Sequence, residues 1–312
     1  MTEAAALAAG RYMGRGDADG VDRVAVNAMR FVLNSVQMDG IVVIGEGEKD
    51  SAPMLYCGER VGTGDPPEVD IAVDPIDGTR LLAMGNLDSL SAVAMAPRGT
   101  MFDPGPFVYV NKLAVGPKAK DKLDINAPVA DNLEKLAKAK GDEVQDLTVV
   151  ILDRPRHERL ISEVRQYGAR IRLIQAGDIA AALMTAWEES GIDMLLGIGG
   201  SPEAVLAACG LRAMGGEIQC QLVARNEQER TCGRDKGYDP GRTLTLDDLV
   251  ASDDVFFAAT GVTDGELLRG VEYFGGGART DSLVVRGLTG TVRQVRATHR
   301  LDKIRQIGGI AY

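Results

Sequence analysis

Between residues 147 and 214 the chain alternates three times between a short apolar run and a helical pattern. Residues 147–152, 170–174 and 193–197 are apolar, and 156–167, 178–188 and 202–214 carry helical spacing. Strands joined through helices pair in parallel and bury both faces, so this rhythm predicts an α/β sheet rather than a helical bundle or a β-sandwich. Further strands are expected at 41–44, 69–73, 90–95, 107–115, 217–224, 255–259, 281–286 and 291–297. Helices are expected at 2–13, capped by Thr2, and at 52–61. Another follows Gly14-Arg15-Gly16-Asp17, with Val21, Val24, Ala25, Ala28, Met29, Val32, Leu33 and Val36 on one stripe and Asp22 beside it. No repeat or linker interrupts the chain, and a boundary near 125–145 divides it into regions 1–140 and 141–312.

The strand ends carry the chemistry. Val69-Asp70-Ile71-Ala72-Val73 runs into Asp74-Pro75-Ile76-Asp77-Gly78-Thr79. Two carboxylates at a strand end suit hard divalent cations, and Thr79 at a helix start suits a phosphate. An Asp-Pro turn followed by an Asp-Gly turn with a capping threonine accounts for the same residues without any ligand. Upstream, Ile41-Val42-Val43-Ile44 ends in Gly45-Glu46-Gly47-Glu48, either an acidic solvated turn or a second source of ligands. An all-oxygen carboxylate cluster selects Mg²⁺ or Mn²⁺, and two such ions side by side would hold the attacking and leaving oxygens of a phosphate ester.

Three later strand ends add anion- and sugar-binding chemistry. Asp153-Arg154-Pro155-Arg156-His157 sets two guanidinium forks at a strand-to-helix junction, a match for phosphate or a basic helix start. Gln175-Ala176-Gly177-Asp178 places an acid at the next strand end. In Gly199-Gly200-Ser201-Pro202-Glu203, Ser201 is the expected N-cap, and Glu203 by pattern alone complements the helix dipole. Tyr109 and Lys112 face a ligand or simply alternate along an edge strand.

Composition narrows the partners. A formal charge of −10 excludes a non-specific nucleic-acid binder, and no run is long enough to span a bilayer. With only two histidines and four cysteines lacking CxxC spacing, neither a zinc centre nor a disulfide framework is supported. The N-terminus lacks the pattern of a secretory signal, so a cytoplasmic enzyme is expected.

The motifs taken together resemble the class II fructose 1,6-bisphosphatases, in the same order from about Thr2 to His299. They are Met13-Gly14-Arg15-Gly16-Asp17, Val43 to Glu48, Ala52-Pro53-Met54-Leu55-Tyr56, the Asp74 motif, Arg154 to His157 and Gly197 to Gly200. The run Phe274-Gly275-Gly276-Gly277-Ala278-Arg279-Thr280 looks most like the cyanobacterial-type members, which act on both fructose 1,6- and sedoheptulose 1,7-bisphosphate.

The resemblance implies the layered αβαβα fold of the lithium-sensitive sugar phosphatases, with 1–140 as a metal-binding catalytic region and 141–312 as a sugar-phosphate-binding region. It implies two Mn²⁺ or Mg²⁺ ions per site, a homotetramer, and a place in gluconeogenesis or the Calvin cycle. Matched position by position, Asp22 and Glu46 are ligands of one metal, and Asp74, Asp77 and Glu203 of the other. Asp77, Gly78, Thr79, Tyr109, Arg154, Pro155, Arg156, Ala176, Gly177, Asp178 and Gly200 match substrate contacts. Thr79, with Asp74 and Glu46 or Glu48, would assist a water attacking phosphorus. The chain has Asp77 where many members have glutamate, and Ala176 where an acid is usual. Two related readings use the same fold or metal site: an inositol- or nucleotide-monophosphatase, and a non-catalytic sugar-phosphate or metal binder. An aspartyl-phosphate phosphatase fits less well, because its Asp-x-Asp spacing is not the Asp-x-x-Asp found here.

Overall fold

The computed structural model describes residues 1–47 and 54–308. Glu48, Ala52 and Pro53 lie outside them. The chain forms two compact units, Met1–Met101 with Ser252–Tyr312, and Phe102–Ala251. The division expected at 140/141 differs from this one, because the chain leaves the first unit and later returns to it.

Unit 1 begins with α1 (Thr2–Ala9) and α2 (Ala18–Leu33), then β1 (Asp39–Ile44), β2 (Arg60–Val61), β3 (Glu68–Asp77), α3 (Thr79–Met84) and β4 (Leu90–Pro97). Unit 2 follows with β5 (Tyr109–Val115), α4 (Val129–Lys140), β6 (Thr148–Leu152), α5 (Glu158–Gln166), β7 (Arg170–Ile174), α6 (Asp178–Met184), β8 (Met194–Gly200), α7 (Ser201–Met214), β9 (Glu217–Val223), α8 (Glu227–Asp235) and α9 (Leu246–Leu249). The return to unit 1 adds β10 (Phe256–Gly261), β11 (Glu272–Phe274), β12 (Gly277–Arg286), β13 (Thr291–Arg300) and α10 (Leu301–Gly308). Both units are mixed α/β, as expected.

The unit 1 sheet runs β11-β12-β10-β4-β3-β1-β2, with β13 also on β12. Only β1 and β3 are parallel; the returning β10 seals the sheet by pairing with β4 from Phe256↔Met95 to Gly261↔Leu90. Ala5, Ala9, Val21, Ala25, Met29 and Leu33 of α1 and α2 bury against Val42, Ile71, Val73 and Val93 of the sheet. Small alanines on α1 let that helix lie close to its neighbours, where a larger side chain would hold it off.

Unit 2 is a sheet of order β7-β6-β8-β5-β9, with β6 parallel to β7 and β8 and the remaining pairs antiparallel. Leu113, Val149, Ile151, Met194 and Leu196 meet Leu133 and Leu136 of α4 and Ile161 and Val164 of α5 on one face. Side chains alternate along β5, so Val110, Lys112 and Ala114 point to the opposite face, where α6 and α7 pack.

Three local expectations are corrected. The helix expected over 52–61 is absent from 54–61, which turns instead, with Leu55 at φ 54° and the backbone N–H of Leu55 bonded to the Glu59 carboxylate. Thr2 does not cap α1; its hydroxyl accepts from Thr260 at 2.8 Å. Ser201 is not the cap of α7 either, because Gly200 holds that position and the Ser201 hydroxyl donates to the Phe107 carbonyl at 2.5 Å.

Candidate active site

In unit 1 the acids gather around the end of β3. This strand does not turn at Pro75 but continues to Asp77, and its pairing with β4 slips between Asp74↔Ala92 and Asp77↔Leu90. Three steps along β3 thus match two along β4. An extra residue accommodated as a bulge restores the alternation, so Asp74 and Asp77 share one face although their spacing of three would set them on opposite faces of a regular strand. Asp77 is buried and Asp74 partly so. Gly78 then turns the chain at φ 85°, a left-handed conformation suited to glycine, and α3 starts at Thr79.

The Thr79 hydroxyl donates to Asp22 Oδ1 at 2.7 Å, tying the start of α3 to the second turn of α2. The Ile76 carbonyl lies 3.1 Å from the same hydroxyl. Burial pushes the Asp22 carboxyl above its usual range, the Thr79 bond opposes that, and Asp19 adds to it. The loop before α2 is fastened to α3, with Gly14 N–H donating to the Leu82 carbonyl and Gly16 N–H to Ala83. Glu46 follows β1 on an exposed turn whose backbone is bonded to the Leu55 carbonyl. A Cβ on Gly45 would lie 2.0 Å from that same carbonyl, so only glycine fits.

In unit 2 the expected substrate contacts collect at one end of the sheet. Strands β6, β7 and β8 end there, and the antiparallel β5 begins there, with Tyr109 paired to Gly200. Ligand sites lie at such carboxyl ends in open α/β sheets. Arg156 directs Nε and Nη2 at the Ile198 carbonyl, 3.2 and 2.7 Å away, and its guanidinium sits 5.1 Å from the centre of the Tyr109 ring. Arg154 bonds the carbonyls of Asp153 and Gln175. Between them His157 clamps two strands, its Nδ1 bonded to the Leu152 carbonyl at 2.7 Å and its Nε2 accepting from Ile198 N–H at 2.8 Å. Gly177, at φ 83°, sets the start of α6, and Asp178 is buried.

Behind this edge stands Lys112, for which the sequence offers two readings, a ligand contact or plain alternation along a strand. Lys112 is only 2% exposed, and its ammonium bonds Asp178 Oδ2 at 2.8 Å and the Gly200 carbonyl at 3.0 Å. Burial works against this charge, but Asp178 and Glu203 outweigh it and hold the Lys112 pKa above the usual lysine range. Glu203 is shifted up, by burial first and by Asp178 second. Its Oε2 is enclosed and has no hydrogen-bond partner among the described residues. The signal that points to Lys112 is a lysine sharing one strand face with apolar Val110 and Ala114.

The acid set is oxygen-only, and an enclosed carboxylate oxygen without a donor is a place where a hard cation fits. Among the described residues no three acidic, imidazole or thiol groups stand close enough together to hold an ion by themselves. Of the five expected ligands, Asp22, Glu46, Asp74 and Asp77 belong to unit 1, and Glu203 to unit 2.

A family model described as bacterial fructose-1,6-bisphosphatase, glpX-encoded, matches residues 1–299. The chain belongs to this family. It is 46% identical over 316 aligned positions, 97% of this chain and 94% of the relative, to the fructose-1,6-bisphosphatase 1 class 2 of Escherichia coli strain K12. The class 2 enzymes of Escherichia coli O6:H1 and of Shigella flexneri match with the same identity and coverage. Membership of the glpX-encoded family accords with the mixed α/β architecture of both units and with the class II resemblance carried by the sequence motifs.

Proposed function

We propose that the protein hydrolyses the 1-phosphate of fructose 1,6-bisphosphate, giving fructose 6-phosphate and inorganic phosphate with the help of divalent cations. The observation that carries this reading is the β3 bulge, which sets Asp74 and Asp77 on one face just ahead of Gly78 and Thr79, in a chain of the glpX-encoded family. Asp22, Glu46, Asp74 and Asp77, with Glu203 from unit 2, are the residues that would hold the cations. Bound divalent cations supply positive charge against the phosphoryl oxygens and acidify water.

The chain's own residues do the rest. The Thr79 hydroxyl, held by Asp22 and following directly on Asp77 and Gly78, orients the attacking water. That water loses a proton to a carboxylate, for which Glu46 and Glu48 are candidates, and its oxygen bonds to phosphorus as the bond to the sugar oxygen breaks. The departing alkoxide takes a proton from solvent water and leaves as the sugar hydroxyl, and the carboxylate returns its proton to solvent. Arg154 and Arg156 hold the other phosphate, with the Arg156 fork oriented by the Ile198 carbonyl and Tyr109. These two arginines favour a bisphosphate over the monophosphates of the related enzymes. Tyr109, Gly177, Asp178 and Gly200 line the sugar.

The finer reading has two Mn²⁺ or Mg²⁺ ions, a cytoplasmic homotetramer and sedoheptulose 1,7-bisphosphate as a second substrate. Support for the second sugar is the Phe274 to Thr280 likeness. That segment forms the β11–β12 hairpin of unit 1, where a Cβ on Gly277 would lie 2.5 Å from the Phe274 ring. The test is phosphate release from both sugars with and without Mn²⁺ or Mg²⁺, in wild type and Asp74→Ala. Cation-dependent release from fructose 1,6-bisphosphate, lost in the variant, is expected; no release from that sugar overturns the reading.

A further inference from the structure

Lys112 is more than a pin between β5 and α6. Two acids flank the end of β8: a Cβ on Gly199 would lie 2.1 Å from Asp178 Oδ2, and one on Gly200 would lie 1.8 Å from Glu203 Oε2. Successive strand residues face opposite sides, so the glycines admit one carboxylate on each side of the same strand end. The Lys112 ammonium is on the Asp178 side, 3.0 Å from the position of the Gly199 Cβ, and it also takes the Gly200 carbonyl.

One positive charge thus serves two negative ones, and it is not shared equally. Asp178 holds the ammonium directly, whereas Glu203 feels its field and keeps an enclosed oxygen with no donor among the described residues. A carboxylate already bonded to an ammonium is a poor cation ligand, and one with an orphan oxygen is a good one. We propose that Lys112 is a positioning residue that reserves Asp178 for the sugar and withholds it from the divalent cations, leaving Glu203 as the acid of this strand end that meets metal. This rests on the reading of Glu203 as a metal ligand and Asp178 as a sugar contact. The neighbouring Cys220, paired to Lys112 across β9, does not complicate the balance, since burial pushes its thiol up to about 12 and it stays neutral.

The charges give the test its sign. Removing the Lys112 ammonium makes this strand end more negative by one charge, and removing the Asp178 charge as well restores the original balance. Lys112→Met, close in length, should therefore bind Mn²⁺ more tightly, by about tenfold in calorimetry on the substrate-free protein, while its KM for fructose 1,6-bisphosphate rises about tenfold. Lys112→Met with Asp178→Asn should return to the wild-type Mn²⁺ affinity and keep the raised KM. The double variant lacks the unpaired Asp178 charge that the single variant leaves beside β8, so it remains a readout if the single variant fails to fold.

A folded Lys112→Met with unchanged or weaker Mn²⁺ affinity overturns the proposal. So does a double variant with wild-type KM. The Mn²⁺ comparison needs no turnover, so it stands even if wild type releases no phosphate from this sugar. Glu203→Gln with wild-type Mn²⁺ affinity removes the ligand reading of Glu203 and the metal half of the proposal with it.

Discussion

Two corners of the molecule use the same backbone device to opposite electrical ends. Asp77-Gly78-Thr79 in unit 1 and Ala176-Gly177-Asp178 in unit 2 each follow a strand, turn on a left-handed glycine at φ 85° and 83°, and open a helix of six or seven residues. At the first corner acids accumulate: Asp74 and Asp77 share a face, and the corner's hydroxyl is given to a third acid, Asp22. At the second corner the acid is matched at once by a buried ammonium. A corner left negative calls for cations. A corner balanced from within presents hydrogen-bonding groups of fixed orientation, which suits neutral sugar hydroxyls. Backbone geometry alone does not set what such a corner binds; the charge behind it does.

The contrast can be broken most severely at the negative corner. Asp74→Ala should lower cation-dependent phosphate release by about 10³-fold or more, and raising Mn²⁺ should not restore it. Thr79→Ala should lower kcat by about 10²-fold with KM nearly unchanged, since its hydroxyl acts on the reacting group rather than on ground-state binding. Equal losses in kcat and affinity would remove Thr79 from the chemistry. At the balanced edge the expected pattern reverses. Arg154→Ala or Arg156→Ala should raise KM for the bisphosphate by about tenfold or more while leaving kcat within a few-fold, as initial rates across substrate concentration will show.

The shared glycines supply a smaller effect. Gly78→Ala and Gly177→Ala should each cost about 1–2 kcal/mol, read as a drop in melting temperature, because a Cβ disfavours the left-handed conformation at both corners alike. Unequal costs would mean that one corner can relax. The smallest effect concerns pH. Ile198 N–H donates to His157 Nε2, so the folded ring must stay neutral there, and burial holds its pKa below the usual histidine value. The unfolded chain therefore takes up the proton first. The His157 contribution is complete above about pH 6.5 and declines as pH falls through that value toward the lower folded one. Melting of wild type against His157→Asn from pH 8 to pH 5 should show the gap between them narrowing.

The strands are legible in the sequence because their signals are local. Apolar runs mark β3, β6, β7 and β8, and β6 and β7 end where expected, at Leu152 and Ile174, whereas β3 continues through Pro75 to Asp77 and β8 through Gly197 to Gly200. What escaped depends on distant partners. The turn at 54–59 is held by Glu59, which bonds the Leu55 N–H and takes Arg30 of α2 at 2.5 Å, so local apolar spacing misleads there. Ser201 looks like a cap but serves Phe107, 94 residues away. The β3 bulge is visible only in its register with β4, and the division into units only in the pairing of β4 with β10. Lys112 was seen as one residue of an alternation; its importance lies in Asp178 and Glu203, which come from helices 66 and 91 positions further on.

The returning strand has a consequence for synthesis. Strand β4 leaves the ribosome at residue 97, but its second neighbour, β10, starts at residue 256, after all of unit 2. Unit 2 is uninterrupted and can complete its sheet as soon as it emerges, whereas the nascent β4 must wait with one edge open and available to wrong partners. The acids of the negative corner are among the first residues made, yet the sheet that carries them is the last to close. A chain stalled or cleaved before residue 256 would therefore retain a folded unit 2 and leave unit 1 exposed to aggregation.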